Sequence, residues 1–154
     1  MIEIRNQDLL TVNADVICHQ VNCQGVMGSG IAKTISDKWP WVKRDYLEQC
    51  SLHKPQELLG KWFNTYVRDS QPFLKGKTIL SIFGQLNYGR DKSKVYTDYT
   101  ALEIAFGDIA GAYKDEVIAF PYKFGCGLAN GDWNIVYKLI DDCFKNCNVI
   151  ICKL

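Results

Sequence analysis

Apolar runs of strand length alternate along the chain with apolar stripes of helical period. Asp15-Val16-Ile17-Cys18-His19-Gln20-Val21 is short, apolar and β-branched, which predicts a buried strand. A glycine-rich stretch follows from Gly25 to Gly30. Ile31-Ala32-Lys33-Thr34-Ile35 then starts a helical pattern that must stop before Pro40. Residues from Val42 to Leu52 predict a second helix. Two further strands are predicted over Gly60–Val67 and Lys77–Phe83, with a turn at Pro72–Gly76 between them. Asn87 to Asp91 reads as a loop. Thr97 to Tyr113 reads as a helix, with Tyr99, Leu102, Ala105, Phe106 and Ile109 on one stripe. Val117-Ile118-Ala119-Phe120 predicts a short buried strand running into a second glycine-bearing loop, Tyr122 to Gly131. Asp132 is placed to open a last helix that ends near Asn146, and Val149–Cys152 closes the chain as a strand. Strands mixed with helices in this way predict an α/β sandwich around a largely internal sheet.

Composition narrows the class. The 154 residues are 47% hydrophobic and 23% charged, the balance of one ordinary folded domain. Net charge is +1, from 18 basic and 17 acidic residues. A protein that draws its affinity from neutralising many phosphates is more basic than this, so general nucleic-acid binding is disfavoured while a local anion site stays open. The seven cysteines are odd in number, contain no CxxC and follow no secretory leader, so reduced thiols in a cytoplasmic protein are expected. Cys143 and Cys147 stand four apart with only His19 and His53 to join them, a poor zinc pattern. No apolar segment reaches the roughly 20 residues of a membrane span.

The two glycine loops carry the candidate chemistry. The first, Asn22-Cys23-Gln24-Gly25-Val26-Met27-Gly28-Ser29-Gly30, joins a predicted strand to a predicted helix. Glycines there let the backbone approach a ligand, and N–H groups at the following helix start attract anions. The loop is not a Walker A motif, because Ile31 and Ala32 separate Gly30 from Lys33-Thr34; its glycine order also departs from the dinucleotide fingerprint. A connector without a ligand is the plain alternative. The second loop, Phe120-Pro121-Tyr122-Lys123-Phe124-Gly125-Cys126-Gly127-Leu128, has the same strand-to-helix setting. Two such loops facing one crevice at the carboxyl ends of strands suit a diphosphate. Tyr122 and Phe124 are candidates to stack on a ribose or base, with ordinary core packing as the alternative.

Together these segments resemble the macro domain family, which binds ADP-ribose. The resemblance rests on a strand ending in asparagine, Ala14 to Asn22, then Gly25 to Ala32, and on the second loop Lys123 to Leu128. It covers nearly the whole chain and implies a single domain over residues 1–154, a three-layer α/β/α sandwich with a central mixed sheet. Within the family the sequence is similar to the small single-domain branch that includes ADP-ribose 1″-phosphate phosphatases and enzymes removing ADP-ribose from protein or DNA. Asn87-Tyr88-Gly89-Arg90-Asp91, Tyr96-Thr97-x-Tyr99 and Gly127 to Trp133 carry that likeness.

The resemblance also implies roles. Asp8, followed by Leu9, would accept a hydrogen bond from the adenine amino group, as an ionised carboxylate can. Asn22 would approach the distal ribose. Gly28, Ser29, Gly30 and Ile31 would offer backbone N–H groups to one phosphate, and Gly125, Cys126 and Gly127 to the other, with Leu128 beside them. Phe124 would flank the distal ribose. His19-Gln20-Val21-Asn22 keeps only the last asparagine of the Asn-Ala-Ala-Asn found in many hydrolytic members. Tyr96 and Ala129 stand where another branch has its lysine and aspartate, and Lys94 is two residues away.

His19 and Asp132 are the candidate acid–base pair: an imidazole titrates near neutrality and a carboxylate can activate water. A satisfied core histidine and a helix N-cap are the alternatives. The expected ligand is ADP-ribose or a 1″-linked derivative. No metal or other cofactor and no membrane is implied, and the working unit is expected to be a monomer. Hydrolysis of the 1″-linked group is the first expected function; a non-catalytic ADP-ribose reader is the second.

Overall fold

The computed structural model describes residues 1–68 and 75–154. In chain order the elements are β1 (Ile2–Arg5), β2 (Val16–Asn22), α1 (Gly30–Lys38), α2 (Pro40–Leu52), α3 (Pro55–Leu58), β3 (Trp62–Val67), β4 (Lys77–Gln85), α4 (Tyr99–Ala112), β5 (Val117–Pro121), α5 (Trp133–Cys143) and β6 (Asn148–Cys152). They form one six-stranded sheet in the order β1-β6-β5-β2-β4-β3. Every pairing is parallel except β3 with β4 at the edge, so the sheet is mixed.

The sheet is central because its middle strands are apolar on both faces, as parallel strands covered by helices must be. Val16 and Cys18 of β2, with Leu80 and Ile82 of β4, face α4 and α5. Their neighbours Ile17 and Ile79 turn the other way, onto Ile35, Trp39 and Val42 of the α1–α2 pair. Further along that face, Val21 and Phe83 pack on Tyr46 of α2. A knot of phenylalanines, Phe106, Phe120, Phe124 and Phe144, fills the α4–α5 side at ring spacings of 5.3–5.8 Å. The three layers are those the sequence predicts.

Boundaries shift where caps compete with pattern. The helix predicted from Thr97 begins at Tyr99, because the Asp98 carboxylate accepts the Ala101 N–H at 2.9 Å and sets the N-cap. The last helix, predicted to run to about Asn146, ends at Cys143. There the Phe144 N–H bonds back to the Ile140 carbonyl, and a turn redirects the chain into β6. The short helix α3 has no pattern to announce it. The turn predicted at 72–76 falls mostly outside the described residues.

This topology gathers the loops that follow β2, β4 and β5 at one end of the sheet. The glycine-rich loops after β2 and β5 therefore stand side by side, since those two strands are neighbours.

Candidate functional site

At the carboxyl ends of β5, β2 and β4 the surface opens into a cavity of about 660 Å3. Asn22, Gly28, Ser29, Gly30 and Ile31 line it from the first loop. Phe124, Gly125, Cys126, Gly127 and Leu128 line it from the second. Asp8, Leu9, His19 and Asp132 do not.

The first loop is organised from behind by side chains. β2 ends in an irregularity, where its register against β4 slips between Val21 and Asn22. The Asn22 carboxamide then bridges the loop. Its Oδ1 accepts the Gln24 N–H at 2.9 Å and its Nδ2 donates to the Val26 carbonyl at 2.7 Å. The Tyr46 hydroxyl, from α2, lies 2.7 Å from the Asn22 carbonyl and 2.8 Å from its Oδ1, and accepts the Gly25 N–H at 3.1 Å. Past this knot the backbone opens. The N–H groups of Gly28, Ser29, Gly30 and Ile31 meet no protein acceptor among the described residues.

The second loop is tied mainly by its own backbone. Lys123, Gly125 and Asn130 all take left-handed φ, at 60°, 71° and 60°. Cys126 N–H bonds to the Lys123 carbonyl at 2.8 Å, and Gly131 N–H to the Gly125 carbonyl at 3.0 Å. Thr97 donates its hydroxyl to that same Gly125 oxygen at 2.6 Å and accepts from Gln20 Nε2 at 3.0 Å. Gln20 also donates to Gln85 Oε1, so one amide spans β2, β4 and the start of α4. Its own Oε1 is buried without a partner. It occupies a niche that only glycines leave: a Cβ on Gly84 would come within 2.5 Å of it, and one on Gly125 within 2.8 Å. The N–H groups of Gly125, Gly127 and Leu128 have no protein acceptor among the described residues.

Among the described residues, Arg90 and Lys123 are the cations of the wall, and neither a carboxylate nor an imidazole is part of it. Unpaired amide dipoles and two cations make the cavity attractive to anions. Burial pushes the Cys126 thiol up to about 11, with the nearby Asp132 charge adding to it, so this sulfur stays protonated and unreactive.

Several expectations are corrected. His19 lies fully buried on the α1–α2 side, with Nε2 2.7 Å from Ser81 Oγ. Desolvation lowers its pKa to about 3, so it is a neutral core residue and not an acid–base group of the cavity. Phe124 reaches the wall, but its ring is 2% exposed and packed on Phe106 and Phe120, leaving no face to stack on a sugar. Tyr122 and the exposed Tyr88 are the other aromatics of the wall, Tyr122 lying edge-on to Trp133 and covered by Lys153 Nζ at 4.8 Å. Leu9 is core. Asp8 is exposed beyond the end of β1, where its Oδ1 accepts the Leu10 N–H at 2.9 Å. Asp132 caps α5 through the Asn134 N–H at 2.9 Å. Lys94 lines a neighbouring groove beyond Tyr88 and not the main cavity.

Pattern reading missed Gln20, Gln85 and Tyr46 as site-builders. Gln20 had a legible signal, being a polar residue inside an otherwise apolar strand. Tyr46 had none, since a tyrosine on a helix stripe reads as packing.

No family model matches the chain. Curated relatives share one name. A Saccharomyces cerevisiae (strain YJM789) protein named ADP-ribose 1″-phosphate phosphatase is 30% identical over 91 residues, which are 59% of this chain and 50% of that one. A Meyerozyma guilliermondii protein of the same name is 26% identical over 140 residues, covering 78% of this chain and 79% of its own. The chain thus spans about half the length of the first relative. Among solved structures, a Bacteroides thetaiotaomicron protein of unknown function superimposes with TM-score 0.81 at 22% identity, covering 100% and 98% of the two chains. The macrodomain of Thermus aquaticus DarG gives 0.76 at 18%, covering 100% and 99%. Thermosipho africanus DarTG in complex with ADP-ribose gives 0.78 at 23%, covering 99% of this chain and 41% of that one.

Proposed function

The chain has the macrodomain fold, and on that premise we propose that it binds ADP-ribose in the cavity between its two glycine loops and hydrolyses a group joined to the 1″ carbon, ADP-ribose 1″-phosphate first among the substrates. One observation carries this reading. The two loops present unpartnered backbone N–H groups, Gly28 to Ile31 on one side and Gly125, Gly127 and Leu128 on the other, to a single cavity. A diphosphate is a group that two such clusters can hold at once, with Arg90 and Lys123 supplying charge. A nearly neutral protein can bind it, because the donors are backbone groups. The names of the relatives and the ADP-ribose complex of a structural neighbour support the choice of ligand. In this reading the protein works as a monomer in the cytoplasm, with no general affinity for nucleic acid.

For the hydrolytic step the candidate base is Asp132, whose charge is felt by the Cys126 thiol although its carboxylate caps α5. A second reading, a non-catalytic reader, is favoured by a cavity wall that holds no carboxylate or imidazole among the described residues. Titration calorimetry with ADP-ribose, paired with a phosphate-release assay on the 1″-phosphate, separates the two. Binding with release supports the phosphatase, and binding without release of any 1″-linked group supports the reader. No binding of ADP-ribose overturns both.

A further inference from the structure

We infer that Tyr46 is the positioning residue of the ligand site: from the far side of the first loop, its hydroxyl fixes the Asn22 carboxamide in the one orientation that leaves an amide N–H for the ligand. The inference rests on the ADP-ribose reading above and deepens it.

The partners of Asn22 leave its amide no choice of flip. The Gln24 N–H can only donate, so Oδ1 must face it, and the Val26 carbonyl can only accept, so Nδ2 must face that. One Nδ2 hydrogen is thereby used. The other meets no protein acceptor among the described residues, on a residue that lines the cavity and is 8% exposed.

Tyr46 closes the arrangement. Its hydroxyl accepts the Gly25 N–H and has one proton to give. The Asn22 carbonyl and Oδ1, oxygens that can only accept, lie within 2.8 Å and suit that proton better than the weakly accepting Cys50 thiol beside it. The ring is fully buried and stacks on Phe83 at 6.0 Å, and that contact holds the hydroxyl in place. Tyr46 is not itself part of the cavity wall, so its hydroxyl acts through Asn22, which is, and through Gly25 rather than on the ligand.

The test is a double-mutant cycle on ADP-ribose affinity, using Tyr46→Phe and Asn22→Ala in the full chain. Tyr46→Phe keeps the ring and deletes only the hydroxyl. Each single change should weaken binding about tenfold, and the double variant also about tenfold rather than a hundredfold, because both remove the same oriented N–H. Val42→Ala, a core truncation on the same helix, should lower Tm at least as much and leave affinity within about twofold. Additive losses in the cycle, or an affinity loss in Val42→Ala matching that of Tyr46→Phe, would overturn the inference. A second readout needs no variant. In the wild-type protein one Asn22 side-chain amide proton should shift on adding ADP-ribose while the other stays. Two unmoved protons, in a protein that does bind ADP-ribose, would sink the role of Tyr46 and spare the ligand assignment. A wild type that does not bind sinks both.

Discussion

The two glycine loops face one cavity but are built differently. The second is closed on itself: a Cβ on Gly131 would meet the Gly125 carbonyl oxygen at 2.5 Å, and Gly125 sits in left-handed backbone against Gln20. The first is open: a Cβ on Gly28 or Gly30 would meet nothing within 4 Å. Its hold comes largely from side chains, Asn22 and Tyr46 behind it and Gln24 reaching across to Leu86 and Asn87. Both loops keep unspent N–H groups, but the turn around Gly125 and Gly131 is pinned by its own backbone bonds, whereas the open space around Gly28 and Gly30 leaves room to adapt. The second loop therefore serves as the fixed wall and the first as the adaptable one.

Adding one methyl group to each loop breaks or sharpens this contrast most strongly. Gly131→Ala forces backbone against backbone and should cost about 2–3 kcal/mol. For a chain of this size that lowers Tm by roughly 5–10 °C. A thermal melt within about 1 °C of wild type would show that the second loop is not packed as described.

The strand that feeds the first loop carries the next effect. His19 is buried on β2, and its folded pKa of about 3 lies far below the ordinary value of 6.5. Above pH 6.5 both folded and unfolded chains hold a neutral imidazole, and stability does not depend on it. Below pH 6.5 the unfolded chain takes up a proton that the folded one refuses until about pH 3. Stability is therefore lost as pH falls through this window, by up to about 1.4 kcal/mol per pH unit. Carboxylates with lowered pKa, such as Asp15 and Asp91, add their losses only further into acid. Denaturant melts from pH 6.5 to 5 should show the slope in wild type and lack it in His19→Gln. An equal slope in both places the acid sensitivity elsewhere.

How much of this was legible differs between the loops for the same physical reason. Strand, loop and helix order followed from hydrophobic period, and the glycines announced both loops that line the cavity. What sequence left dark were the contacts behind the loops. Gln20, Thr97 and Tyr46 act across strand and helix boundaries, between residues 20 and 97 or 22 and 46, and such pairing is created by topology and not by local pattern. The same gap explains His19. A histidine three residues before the cavity-lining Asn22 looks chemical, but β-strand alternation turns it onto the α1–α2 face against Ser81.

Asp132 sits where the rigid loop hands over to α5, and its removal has a smaller effect with two separable parts. As an N-cap it should contribute about 1 kcal/mol to stability, a loss of some 2–4 °C in Tm for Asp132→Ala. ADP-ribose affinity should hold, because Asp132 is not part of the cavity wall. If it also serves as the base, phosphate release from the 1″-phosphate should fall by a factor on the order of 100. Normal turnover with lowered Tm reduces it to a cap.

The smallest change is the most telling about the open loop. Gly28→Ala adds a methyl group where no atom waits within 4 Å, and Gly28 is not among the left-handed glycines. Tm should stay within about 2 °C, as for surface changes of under 0.5 kcal/mol. The same methyl group narrows the approach of the backbone to a phosphate, so ADP-ribose affinity should drop while stability does not. The opposite outcome, a destabilised protein with unchanged affinity, would mean that the first loop is as tightly packed as the second, and the division between a fixed wall and an adaptable one would fall.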